Sequence, residues 1–78
     1  MVDAVLIGKV IHSLRISKNK TQEVLSGLAG LDRTHYSKIE RGLRSPTIET
    51  LFRIAHALDM SPHELVQEIE KALENDCL

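Results

Sequence analysis

Arg33, Thr34, Ser37, Lys38 and Arg41 are five hydrogen-bonding side chains within one short stretch, spaced to share the outer side of a helix. Tyr36 and Ile39, three apart and with Glu40 beside Ile39, give the same helix an inward face. The chemistry these groups offer is recognition. Arginine can bond guanine O6 and N7 together, threonine can meet a thymine methyl or a base edge, and lysine can reach guanine or a phosphate. Bond-making chemistry has no comparable set. His12, His35, His56 and His63 share no metal-ligand spacing with one another or with Cys77. No serine–histidine–acid set and no glycine-rich phosphate loop can be placed. The residues therefore imply no enzyme, no metal or cofactor, and no small-molecule ligand.

The elements that must position these side chains lie in the run TQEVLSGLAGLDRTHYSKIERG, Thr21 to Gly42. Thr21 can cap a short helix through about Ala29, with Leu25, Leu28 and Ala29 at helical spacing. Gly30 closes it where a left-handed residue is needed. Asp32 can cap the next helix, Arg33 to Arg41. Two helices across a glycine turn, the second polar and basic outside, are what the major groove of DNA can receive. Arg33 and Thr34 stand in the first turn, which meets base edges, and Arg33 is the first choice for direct readout. Ser37 and Lys38 follow one turn on. Gln22 opens the preceding helix, where an amide can join backbone N–H groups in gripping a phosphate. His35 lies at the rim, against the DNA backbone or a base. Arg41, Arg44 and Ser45 surround the following loop and face the sugar–phosphate backbone.

The remaining chain predicts three more helices and no strand, an all-α domain of five helices. The first spans about Asp3 to Ser17, with Ile7, Ile11 and Leu14 as its stripe and Val10 widening it. Lys18-Asn19-Lys20 connects it, with Asn19 at the turn. Gly27, inside the second helix, suggests close approach of another helix. After a Gly42–Pro46 loop, Thr47 can cap a fourth helix carrying Leu51, Ile54, Ala55 and Leu58. Ser61-Pro62-His63-Glu64 is a capping box with proline at the first helical position. It opens a fifth helix to about Glu74, with Leu65, Val66, Ile69 and Leu73 on one face.

Seventy-eight residues, 42% of them hydrophobic, make one globular domain whose core is small enough to benefit from a partner subunit. Net charge is −1, yet residues 1–58 hold nine Lys/Arg against five Asp/Glu, and residues 59–78 only Lys71 against six acids. A basic body with an acidic end suits DNA on one side, with the acidic end turned away. The single cysteine excludes an internal disulfide and points to a reducing compartment, the cytoplasm. No apolar run approaches the roughly 20 residues of a membrane span. The N-terminal stretch, with Asp3 and no basic lead-in, is a poor signal peptide.

The run from Thr21 to Leu65 resembles the helix-turn-helix domain of the Cro and lambda-type repressors, the XRE-like regulators. The resemblance spans about Leu6 to Leu65 through Arg15, Thr21-Gln22, Leu25, Gly30-Leu31, Ile39-Glu40-Arg41-Gly42, Pro46, Leu51 and Ala57-Leu58, in order. LDRTHYSKIERG and the short last helix look like the controller proteins of restriction–modification systems. Departures are Ser26-Gly27, Tyr36 in place of a branched aliphatic, and Asp59 where glycine is common. The resemblance implies a lambda-repressor-like fold, a phosphate grip by Gln22, and an ion pair between Arg15 and Glu40 joining the first and third helices. It implies a homodimer on a palindromic site of double-stranded DNA, because one helix reads only a few base pairs. Val66, Ile69 and Leu73, with Leu58 and Met60, are the candidate dimer contacts. A different class, a protein-interaction module such as an antitoxin on the same fold, leaves Gln22, Arg33, Lys38 and Arg44 without a purpose.

Overall fold

The computed structural model describes residues 2–76. Five helices follow in the expected order: α1 (Ala4–Ser17), α2 (Gln22–Ala29), α3 (Arg33–Glu40), α4 (Ile48–Ala57) and α5 (Pro62–Asp76). No strand occurs among the described residues. Cys77 lies outside them.

Each start has a local cause. The Asp3 carboxylate accepts from the Leu6 N–H at 2.9 Å, so Asp3 caps α1 rather than opening it. Thr21 accepts from Val24 N–H and Thr47 from Thr50 N–H, both at 3.1 Å. Asp32 accepts from the N–H groups of Thr34 and His35. At α5, Ser61 N–H donates to Glu64 Oε1 at 2.8 Å, the return bond of the capping box. The ends share one device. Left-handed residues at Asn19, Gly30, Gly42 and Asp59 close α1 to α4. At each of them paired amides reach back to the last turn, as Leu31 N–H does to Ser26 at 2.9 Å and Gly30 N–H to Gly27 at 3.2 Å. Asp59 adopts φ 59° without glycine's freedom.

α1 packs against α3 and α5, α2 against α3 and α4, and α4 against α5. Between them lies one core of Ile11, Leu25, Tyr36, Ile39, Ile54 and Leu65 with their neighbours. Four readings of the sequence need correction. Leu28 is 61% exposed; α2 is barely two turns long and turns Leu25, Ser26 and Ala29 inward instead. Leu6, rather than Ile7, is the buried residue in the first turn of α1. Gly27 faces open space, and Gly8 marks the close helix approach: a Cβ there would sit 2.5 Å from the carbonyl oxygens of Ile39 and Glu40. Leu58 and Ile69, expected at a dimer surface, are buried in the chain's own core and leave little or no surface for a second copy.

Candidate nucleic-acid interface

The α2–turn–α3 unit is held from behind. Leu25, Ala29, Tyr36 and Ile39 anchor it in the core, and Arg53 of α4 donates to the Gly30 carbonyl at 3.4 Å, bracing the turn. At the far end of α3, Gly8 lets α1 sit against the Ile39 and Glu40 backbone. α3 is thus fixed at both ends, and its outer side is left to solvent.

On that side Arg33 and Thr34 are exposed in the first turn, with Ser37 and Lys38 half-buried one turn further on. Arg33, Thr34, Ser37 and Arg41 line one shallow depression. Arg41, Arg44 and Ser45 are exposed and His35 is half-buried. Among the described residues, none of these side chains bonds to another protein group. The cations expected to meet DNA are available to it.

Arg15 and Glu40 do pair. Arg15 Nε donates to Glu40 Oε2 at 2.6 Å and Arg15 Nη2 to Oε1 at 3.2 Å, with both residues buried. Arg15 Nη1 also donates to the Lys20 carbonyl at 2.8 Å, tying the α1–α2 connection to the same knot. Two further groups reach Glu40 Oε1. Gln22 Nε2 donates at 3.1 Å and His12 Nδ1 lies at 2.9 Å. Burial pushes the Glu40 carboxyl up, but the bonds from Arg15 and the groups of Tyr36, His12 and Gln22 outweigh it, holding the pKa at about 2. Tyr36 shows the opposite effect. Burial first, then the Glu40 charge, pushes its phenol far above the usual range, and its hydroxyl lies in the core without an aligned partner.

Gln22 therefore stands at the α2 N-terminus where expected, with its amide already engaged by Glu40. His12 was not foreseen. It falls off the apolar stripe of α1, and the available signal is its position three residues before Arg15, which places both on one side of the helix. Arg53, the brace of the turn, had no signal beyond a charge in the middle of α4. Among the described residues no group of histidine, cysteine and acidic side chains could hold a metal ion, and no helix is long and apolar enough to cross a membrane.

A braced glycine turn, a capped second helix and a free polar outer face define a helix-turn-helix DNA-binding unit. The chain belongs to the helix-turn-helix family, whose model matches residues 11–65, and it is a transcriptional regulator of the XRE type. It is 41% identical over 61 residues to an uncharacterised helix-turn-helix-type regulator of Sinorhizobium fredii, covering 78% of this chain and 79% of that protein. To the control protein C.BamHI of Bacillus amyloliquefaciens it is 37% identical over 62 residues, covering 78% and 76%. The crystal structure of the restriction–modification controller protein C.AhdI from Aeromonas hydrophila matches with a TM-score of 0.76 at 39% identity, over 80% of this chain and 94% of that one. The controller protein C.Esp1396I, solved as a tetramer on its natural 35-base-pair operator, matches with a TM-score of 0.82 at 35% identity, over 88% and 91%. These relatives are regulators, and the family is not an enzyme family.

Proposed function

We propose that this regulator acts as a homodimer that reads a palindromic operator by placing α3 of each subunit in the major groove, in the manner of a restriction–modification controller. The observation that carries this reading is the outer face of α3, where exposed Arg33 and Thr34 lead and Ser37 and Lys38 follow, all free of intramolecular bonds among the described residues. Arg33 reads guanine, Thr34, Ser37 and Lys38 contribute base contacts, and Gln22, His35, Arg41, Arg44 and Ser45 hold the backbone. The protein does no catalysis and works in the cytoplasm.

The dimer surface is smaller than the sequence suggests. With Leu58 and Ile69 used in the core, Val66 at 48% exposure and the partly buried Met60 and Leu73 remain. Exposed Ile48 and Phe52 on α4 supply further apolar surface that a second copy can cover. Selection of bound sequences from a random DNA pool tests the whole reading. It should return two inverted half-sites about 34 Å apart centre to centre. On the selected site, Arg33→Ala should lose roughly 1–3 kcal/mol while binding to random duplex changes far less. No enrichment, with no binding to random duplex even at low salt, would remove the proposal.

A further inference from the structure

Glu40 Oε1 receives more than one carboxylate oxygen ordinarily holds. Arg15 Nη2, Gln22 Nε2 and His12 Nδ1 all lie within 3.2 Å of it. The contact with His12 assigns the imidazole proton. Two lone pairs facing at 2.9 Å would repel, so Nδ1 carries the hydrogen and donates to the carboxylate. The ring is otherwise open, with 53% of the side chain exposed. Because His12 and Gln22 share one acceptor atom, the imidazole lies beside the amide at the start of α2. In the neutral ring the outer nitrogen, Nε2, is a bare acceptor and would repel a phosphate oxygen. In the imidazolium it is a second donor.

We infer that His12 is a proton-linked contact to the DNA backbone: as imidazolium it spans Glu40 through Nδ1–H and a phosphate oxygen next to Gln22 through Nε2–H. The inference rests on the DNA-binding reading above and extends the interface onto α1. No covalent bond changes; the added proton comes from solvent as DNA binds. The charges around the ring decide whether this can work. From α3 it faces Glu40, and from its own helix Arg15, whose Nη2 is 3.3 Å from Nδ1 and opposes a second positive charge. From α2 it faces the uncharged Gln22, with acidic Glu23 next in the chain. α5 meets α1 elsewhere, along Lys9, Val10, Ser13 and Leu14, where Glu68 and Lys71 lie. Without DNA, Glu40 is already matched by Arg15. With a phosphate on the outer nitrogen, an imidazolium lies between two anions, and the charged form is favoured. Histidine is the side chain that makes this change near neutral pH.

The test is binding to a 30-base-pair duplex of arbitrary sequence at pH 5.5 and pH 8, at fixed ionic strength, for the wild type and for His12→Gln. Glutamine keeps an N–H that can reach Glu40 but cannot take a proton, and thermal unfolding at both pH values checks that the variant is folded. His35→Gln runs in parallel because His35 lies at the same face. On going from pH 8 to pH 5.5 the wild type and His35→Gln should each gain about tenfold more affinity than His12→Gln does. The log–log salt slope of the wild type should steepen at pH 5.5 by about one phosphate contact, roughly 0.9, and that of His12→Gln should not. A wild-type pH gain in His12→Gln would overturn the inference. So would an equal loss at both pH values, since it would mean that His12 only supports Glu40. Absence of duplex binding by the wild type overturns this inference together with the DNA-binding reading, whereas binding without the pH difference overturns this inference alone.

Discussion

Replacing Glu40 with glutamine should change how the protein responds to acid, by an amount the structure allows to be worked out. Glu40 is almost wholly buried, and its pKa is lowered from the ordinary 4.5 to about 2. A group whose folded pKa is depressed stabilises the fold above its unfolded pKa and loses that contribution as pH falls towards the folded value. At about 1.4 kcal/mol per unit, the shift corresponds to about 3 kcal/mol, present at neutral pH and lost between roughly pH 5 and pH 2. A domain this small holds on the order of 5–10 kcal/mol in total, so the effect is a large fraction of it. Urea unfolding followed by circular dichroism at half-unit steps from pH 7 to pH 2 reads it directly. Wild-type stability should fall by more than 1 kcal/mol per pH unit near pH 3, after allowing for the other carboxylates. Glu40→Gln should start lower by roughly 3 kcal/mol, because Arg15 is left buried without its charge partner. Its acid slope should then be shallower by one carboxylate's share. Parallel curves for the two proteins below pH 4.5 would refute the reasoning, for they would mean that Glu40 titrates normally in the fold.

Five further substitutions test the packing. Gly8→Ala drives a Cβ into the carbonyl oxygens of Ile39 and Glu40, backbone atoms that cannot swing away, and should cost about 3 kcal/mol or more in denaturant unfolding. Gly27→Ala meets nothing within 4 Å and should stabilise by roughly 0.5–1 kcal/mol, the reverse of a close-approach glycine. Asp59→Gly relieves a left-handed aspartate at φ 59° and should raise the melting temperature by a few degrees, about 0.5–1 kcal/mol. Leu25→Ala should cost about 2–5 kcal/mol while Leu28→Ala, on the exposed side of the same helix, should cost under about 1 kcal/mol. Similar losses for the two leucines would show that Leu28 is covered in solution.

The helices were legible because their starts and stops are written locally. Asp3, Thr21, Asp32, Thr47 and Ser61 each act within three residues of themselves, and Gly30 and Asn19 adopt conformations that their own side chains permit. Contacts between helices were legible only where the family resemblance supplied them, as with Arg15 and Glu40. The Gly8 seam required knowing that α1 crosses the end of α3, which no periodicity in either helix contains. Leu28 misled because an eight-residue helix meets neighbours on two sides, and spacing alone does not choose between adjoining arcs. His12 lies 28 residues from its partner Glu40, on the arc of α1 that looked purely solvated. Leu58 and Ile69 show a related limit. An apolar stripe says that a residue will be covered without saying whether its own chain or another does so.

The seam at Gly8 bears on how proteins of this build change what they recognise. α1 holds the last turn of α3 through its main chain, by the carbonyl oxygens of Ile39 and Glu40, while Tyr36 and Ile39 anchor it from within. Positions 33, 34, 37 and 38 take no part in either attachment. Arg33 and Thr34 are exposed, and their side chains can be exchanged without disturbing either attachment, whereas the half-buried Ser37 and Lys38 tolerate only changes of similar size. In the DNA-binding reading proposed above, target preference and fold stability are therefore largely separable, because the residues that would set the first are not the ones that secure the second.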